Sequence, residues 1–579
     1  MLQRDDSGRN PMRTANGFRA ACLALGLALV AAACSTPQRD ASANGVRGGT
    51  LQVLTSDPEP TLDTAFFFYP PLARAYARTL YGYNLAGPPE QKTVPVPDIA
   101  DGPAQLSADR RSYTFRLRAG VRYASPVNRE VTAADFITAI QRLYDKQTPS
   151  WGQQYADLIA GTSRFGAGKA TRISGLSAPD ARTLTITLDQ PASDFLSILT
   201  LPYFAPVPGE YAASYTVGAN YDGHVVGSGP YTPTTYDPGR LIVLDRNPKW
   251  DPATDPLRKA WVDRIQVTPD VSISSTRRAI EREEADLSLI SHLPQTRVDA
   301  LRADPEQSRR LSVNTTGSLQ FLNLGTHKKA GAIADVRVRQ AVNYAIDKVA
   351  YRDALAGRYA ATGELASTIM APGSLGYRPF DLYPTPGGRG DPVKARALLA
   401  EAGYPNGLTL GFATLSSGRL AAGRKPIEES LKKAGIRLKV TTNKPWDPHF
   451  EALGNPAKRL EHQLAQNGWI PEYFGDNARQ TIVPQYDGRI PIDFGANFSE
   501  YNNPTVNRLI DQALAEADPH RRAALWSQID RRIMRDAPLV PLVWEKAAFQ
   551  WASRVHGWVY NPWTTGPDLT AVWLDPPSP

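Results

Sequence analysis

The stretch VGSGPYTPTTYDPGRLIVLDRNPKW, residues 226–250, decides more about the fold than any other. Gly227, Gly229 and Pro230 break the chain at a sharp turn. Tyr231 to Tyr236 then suits a strand, because Thr and Tyr pack well on a pleated, half-buried surface. Asp237-Pro238-Gly239 is a turn, since proline fixes φ and glycine accepts positive φ. Leu241 to Leu244 returns as an apolar strand, and Arg246-Asn247-Pro248 closes it. Many proteins contain such a hairpin. The order G-S-G-P-Y, apolar strand, R-N-P-x-W is far rarer.

Around this hairpin runs a chain of 579 residues, too long for one core. At roughly 150 residues per domain it divides into three or four units. Hydrophobic residues at 42% and charged residues at 21% are ordinary globular values, and 49 prolines with 44 glycines predict a turn-rich α/β chain. The net charge is +8. The first 33 residues hold Arg4, Arg9, Arg13 and Arg19 against Asp5 and Asp6, leaving +6 dispersed over the remainder. No long basic run is present, so nucleic-acid binding is not expected.

The N-terminus reads as an address. Arg13 and Arg19 precede an apolar run from Ala20 to Ala33, which ends at Cys34. The run is shorter than the ~20 residues of a membrane span. Charged region, short apolar region and small residues before a cut describe an export signal over 1–33. The run LVAAAC resembles a bacterial lipobox, with Ala31 where a large aliphatic is usual, and implies lipidation of Cys34. Cys22 falls inside the signal, so no intrachain disulfide is expected in the mature chain. Residues 35–47 are small and polar, and 34–47 read as a lipid-anchored flexible tether.

Further along, Gly48 to Leu54 is a glycine turn and a strand, followed by the proline-broken loop Ser56 to Asp63. Leu72, Tyr76 and Leu80 have helical spacing, predicting a helix over 72–81. Tyr113, Phe115 and Leu117 alternate with polar residues as a strand, and Thr132 with Asp135 predicts a capped helix through Leu143. Residues 173–188 read as two strands and 191–201 as a helix. Arg277 to Leu289 reads as an amphipathic helix and a short strand. Its acids, Glu281, Glu283 and Glu284 among them, point different ways and form a solvated face rather than a catalytic cluster. Leu319 to Leu324 is a strand, Asp335 to Ala350 one amphipathic helix, and Asp391 to Leu410 a helix with a Gly403 C-cap and a strand. Ile427 to Val440 is a helix and a strand, two helices cover 506–517 and 521–536, and Ala537 to Leu542 is a strand.

Four phrases, GGTLQVLTSDPEPTLDTA, YTFRLRAGVRY…VTAADF, DVRVRQAVNYAID and DPVKARALLAEAGYPNGLTL, together with the opening hairpin, occur in an order that resembles the extracytoplasmic solute-binding proteins of ABC importers, the peptide/nickel-binding family 5. The resemblance covers most of residues 48–560. It implies an α/β, two-lobed periplasmic-binding-protein-like fold of the large cluster C type. Lobe I would comprise 48–81, 207–316 and 545–579, with an extra domain at 82–206. Lobe II would be 317–544, with a hinge where the chain crosses near 317 and 544. Ser125-Pro126-Val127-Asn128 departs from the family's usual Asp-Gly-x-Pro turn.

No catalytic constellation accompanies these features. The seven histidines show no HxxxH or HExxH spacing, so no metal site is expected. Gly166 to Lys169 lacks the first glycine and the Ser/Thr of a phosphate loop. Ser430-x-x-Lys433 has no KTG partner and lies on a charged helix. An enzyme is not expected, nor a cofactor.

The candidate ligand site is Gly468-Trp469-Ile470-Pro471-Glu472-Tyr473-Phe474. Trp469 and Tyr473 offer flat apolar walls and Glu472 one negative charge, parts suited to a cationic amine. In peptide-binding members of the family a W-x-x-D-Y loop lines the cleft and its acid pairs with the peptide α-amino group. Glu472 stands at that position, one methylene longer. Ser56 and Asp57 in the opening loop, Asn323, Trp446 and Tyr501 are further candidates. The resemblance implies a monomer held at the extracytoplasmic face of the cell membrane by its lipid. It would capture a solute, an oligopeptide by preference, and hand it to ABC permease subunits. Nickel chelates, opines and oligosaccharides are other ligands served in the family. An exported hydrolase would instead turn over model peptides, and a sensor would have no adjacent permease genes.

Overall fold

The computed structural model describes residues 45–66, 70–88, 91–146, 150–356, 361–444, 447–455, 458, 460–490, 496–562 and 565–576. The signal, Cys34 and Trp446 lie outside them.

The opening hairpin forms as its residues dictate. Tyr231–Asp237 pairs antiparallel with Leu241–Arg246, and Gly239 takes φ +72 in the turn. Pro233 sits beside a register shift on the outermost strand, where its missing N–H breaks no ladder. The flanking motif is a clamp. The N–H groups of Ser228 and Gly229 donate to the Tyr76 carbonyl, and a Cβ on Gly229 would stand 2.7 Å from the Ala75 oxygen. Asn247 Nδ2 donates to the Gly229 carbonyl at 3.0 Å, joining the two ends of the motif. Arg246 reaches the carbonyls of Ala260, Trp261 and Val262. The hairpin thereby completes a five-stranded sheet in the order 287–288, 50–54, 264–268, 241–246, 231–237.

A four-stranded antiparallel sheet, ordered 105–106, 112–116, 183–187, 176–180, stands beside it with the helix Ala133–Arg142. The Thr132 N–H donates to Asp135 Oδ2 at 2.8 Å, as the capping pattern predicts. Both sheets and the C-terminal tail share one apolar core, from Leu51 through Leu289 and again from Ala547 to Leu574. A second core holds residues between Leu319 and Trp544, around a six-stranded sheet ordered 361–365, 539–550, 311–324, 464–469, 408–415, 436–443. Among the described buried residues of that second stretch, Tyr473 alone belongs to the first core.

The strands Leu311–Leu324 and Leu539–Gln550 run antiparallel from one core to the other. Leu311 to Thr315 pairs with Gln550 to Lys546, and pairing resumes at Leu319 with Trp544 after a register shift. Gly317, at φ +75, lies in that irregularity.

Several elements differ from the sequence expectation. The helix expected over 72–81 is Pro70–Tyr76, because the Tyr76 carbonyl is taken by the 228–229 turn and the chain goes on as the strand Tyr81–Tyr83. The helix expected over 335–350 is two, Val336–Ala345 and Lys348–Ala356. Ile346 is extended, and Asp347 starts the second helix by accepting from the Ala350 N–H at 2.8 Å. Only Phe195–Ile198 is helical within 191–201. The helix expected from Arg277 runs Ile273–Glu281, capped by Ser272, and Glu283 turns the chain at φ +60. Glu283 is tied to Arg310 and to the Ser553 N–H.

Candidate ligand-binding site

The site grows from the end of a strand. Leu464–Trp469 pairs with Leu311–Leu324, which puts Trp469 opposite Leu319, itself opposite Trp544 on the far side. Cross-strand neighbours share a face, so the two indoles flank one leucine. Trp469 is half-buried and its Nε1–H donates to the Gln480 carbonyl at 3.1 Å. The chain leaves the sheet at the exposed Ile470, and residues 470–477 form a loop. A Cβ on Gly317 would lie 3.2 Å from Pro471 and 3.6 Å from Phe474, so the loop packs directly on the irregular crossing.

Glu472 is the chemical centre of this loop. It is half-buried, and its Oε2 accepts from Tyr155 Oη–H at 2.7 Å, a contact between residues 317 apart in sequence. Tyr155 is itself buried, its ring against Tyr203 and edge-on to Tyr473 at 6.3 Å. Burial pushes the Glu472 carboxyl up to about 7, and the tyrosine bond opposes this only partly. Among the described residues no lysine or arginine pairs with it. A carboxyl in that state lacks a positive partner, and a ligand cation placed there restores its ordinary acidity.

The other sequence candidates have different places. Tyr473 is wholly buried, packed into the first core, and its Oη–H donates to Asp194 Oδ2 at 2.8 Å. It fastens the loop and offers no open wall. Ser56 and Asp57 are half-buried in the opening loop. Asp57 accepts from the Glu59 N–H, donates to Thr55 and gives its carbonyl to the Asp270 N–H, and burial raises its pKa. Asn323 is buried in the middle of the second sheet, opposite Ala465 and Leu539. Tyr501 is buried in the second core, bonded through its hydroxyl to Asp536 at 2.7 Å and edge-on to Tyr486. The latter two are packing residues, and the structure brings neither to Glu472.

Tyr155, Tyr203, Asp194 and Arg479 were not marked by the sequence. Each lies in an unremarkable local setting and gains its place only through contacts between distant segments.

The remaining chemistry is structural. Ser430 is buried and donates to the Pro426 carbonyl at 2.7 Å, while Lys433 is exposed. His292 is pushed down to about 4 by burial and stays neutral at physiological pH. Among the described residues no group of three His, Cys, Asp or Glu side chains could hold a metal ion. No described helix is long and apolar enough to cross a membrane.

With this geometry in view, the family profile "Bacterial extracellular solute-binding proteins, family 5 Middle" matches residues 94–482, more than half of the chain. The chain belongs to that family. Its structure is the two-lobed α/β fold of periplasmic binding proteins, and it is similar over 91% of its length to the solved clavulanic acid biosynthesis oligopeptide binding protein 2, with a TM-score of 0.84, 31% identity and 96% of that chain covered. The di/tripeptide-binding protein 2 of Pseudomonas aeruginosa (strain UCBPP-PA14) is 26% identical over 97% of this chain and 100% of its own length. Heme-binding protein A of Haemophilus influenzae is 26% identical over 79% of this chain and 80% of its own. These relatives are named as binding proteins.

Proposed function

We propose that this family 5 protein is the lipid-anchored receptor of an ABC importer and takes oligopeptides with a free amino terminus. The observation that carries the reading is Glu472, a half-buried carboxyl with no basic partner among the described residues, held by Tyr155 where a loop of the second lobe meets the first. A peptide ammonium supplies the missing positive charge, and Trp469, three residues earlier in the same segment, offers apolar surface. The names of its relatives include both heme and di/tripeptides, so the choice of ligand rests on this carboxyl. The crossing at Gly317 supports a hinge: its broken register and glycine leave the ribbon between the lobes with fewer ladder bonds to bend. A ligand touching both lobes then favours closure by its greater affinity for the closed state. Cys34 with the 35–47 tether keeps the receptor at the membrane beside its permease, raising its effective concentration there.

The test compares trialanine with N-acetyl-trialanine by calorimetry on wild type and Glu472→Gln. Wild type is expected to prefer the free amine, and Glu472→Gln to lose that preference. Equal affinity of wild type for the two peptides removes the role assigned to Glu472.

A further inference from the structure

Asp194 precedes the short helix Phe195–Ile198 as its N-cap residue, yet its carboxylate makes no bond to that helix. Aspartate is among the preferred caps, so a diverted side chain has a stronger partner elsewhere. Here the partners lie on the other lobe, one in the 470–477 loop and one in the first turn of the helix Ala478–Tyr486. Asp194 Oδ2 accepts from Tyr473 Oη–H at 2.8 Å, and Arg479 Nε lies 2.9 and 2.8 Å from the two carboxylate oxygens. Asp194 is only 3% exposed, and in so dry a place the loss of one partner leaves the other charge buried and unpaired, a far larger cost than at a surface ion pair.

The chain between Tyr473 and Arg479 is tied on both sides. Phe474 N–H donates to Tyr83 Oη at 3.3 Å, and Gly475 packs against the Thr93 carbonyl, both in the first lobe. On the second lobe, Asp476 pairs with Arg522 at 2.8 Å and the Leu375 N–H donates to the Gly475 carbonyl at 2.8 Å. Tyr473 is the next residue after Glu472, so whatever fixes its ring restrains the backbone from which the carboxyl reaches Tyr155. The segment is built by the second lobe, but its aromatic plug is seated in the core of the first.

We infer that Asp194 is a positioning residue for Glu472: through Tyr473 and Arg479 it fastens the 470–477 loop and the start of the helix after it to the first lobe, and so holds the amine-binding carboxyl half-buried against Tyr155. The fastening is independent of any ligand, whereas the positioning role rests on the assignment of Glu472 proposed above.

Two variants test it, Asp194→Asn, which removes the charge facing Arg479, and Tyr473→Phe, which removes one hydrogen bond and keeps the ring. In the full chain without ligand, hydrogen exchange at residues 472–479 is expected to quicken about tenfold or more in each, with the 408–415 and 436–443 strands unchanged. Unchanged exchange at 472–479, or equal acceleration throughout the second lobe, overturns the inference. With trialanine and N-acetyl-trialanine as probes, both variants are expected to lose most of the preference for the free amine. Local loosening with that preference intact overturns the positioning role. If wild type shows no preference, the amine reading fails and the exchange result decides the fastening on its own.

Discussion

Replacing Glu472 by glutamine should make the free protein more stable and the receptor worse, and both effects should depend on pH. In the folded chain the carboxyl titrates at about 7 because burial disfavours its charge. In the unfolded chain it titrates near an ordinary glutamate, about 4.3. A folded pKa above the unfolded one means stability that is fully present below pH ~4.3 and is lost as pH rises toward 7. The loss is complete above that, and at ~1.4 kcal/mol per unit it amounts to at most about 4 kcal/mol, less what solvent at this half-buried site screens. Glutamine keeps the shape and an acceptor for Tyr155 without the charge. Urea unfolding of the full chain at pH 4.5 and pH 8 should therefore give near-equal stabilities at the lower pH and a gap of about 1–3 kcal/mol favouring Glu472→Gln at the higher. Binding runs the other way. Wild-type affinity for trialanine should peak between about pH 7 and 8, fall up to about tenfold per unit below that as Glu472 takes up its proton, and fall again at higher pH as the peptide amino group, with a pKa of about 8, loses its own. The variant should bind weakly and lack the fall on the acidic side. The same stability gap at both pH values would refute the reasoning, since a gap without pH dependence cannot come from a buried charge.

Tyr155→Phe removes the hydrogen bond that favours the ionised form of Glu472, so the pH below which peptide binding weakens should rise, as read from calorimetry between pH 5 and 8.5. Gly317→Ala forces a Cβ into a left-handed residue 3.2 Å from Pro471. It should cost about 1 kcal/mol or more, seen as a lowered Tm, and a Tm equal to wild type would remove the strain argued there. Cys34→Ser should release the protein from the membrane fraction while leaving trialanine affinity of the purified protein unchanged, and continued membrane association would remove the lipid anchor.

Local patterns were legible because they depend on neighbours along the chain. The 226–250 motif made the hairpin its residues predict, and Thr132 with Asp135 made the expected cap. Where sequence periodicity failed, a distant group had intervened. The 72–81 helix stops because a turn 150 residues later takes its last carbonyl, and the 335–350 helix breaks where Asp347 caps a second one and donates its N–H to Ser430. At the site the sequence supplied Trp469 and Glu472 but not what surrounds them. It could not show that Tyr473 turns away into the first core, that Asn323 and Tyr501 are packed inside the second, or that Tyr155 meets Glu472.

What the sequence determined by itself was the family, many of the strands and helices, and a carboxylate between aromatic residues, since turn chemistry, capping and motif order are written in adjacent residues. Tertiary structure alone decided the protonation and hold of that carboxylate, because desolvation by another segment and a phenol 317 positions away set them, and neither leaves a mark on the local sequence.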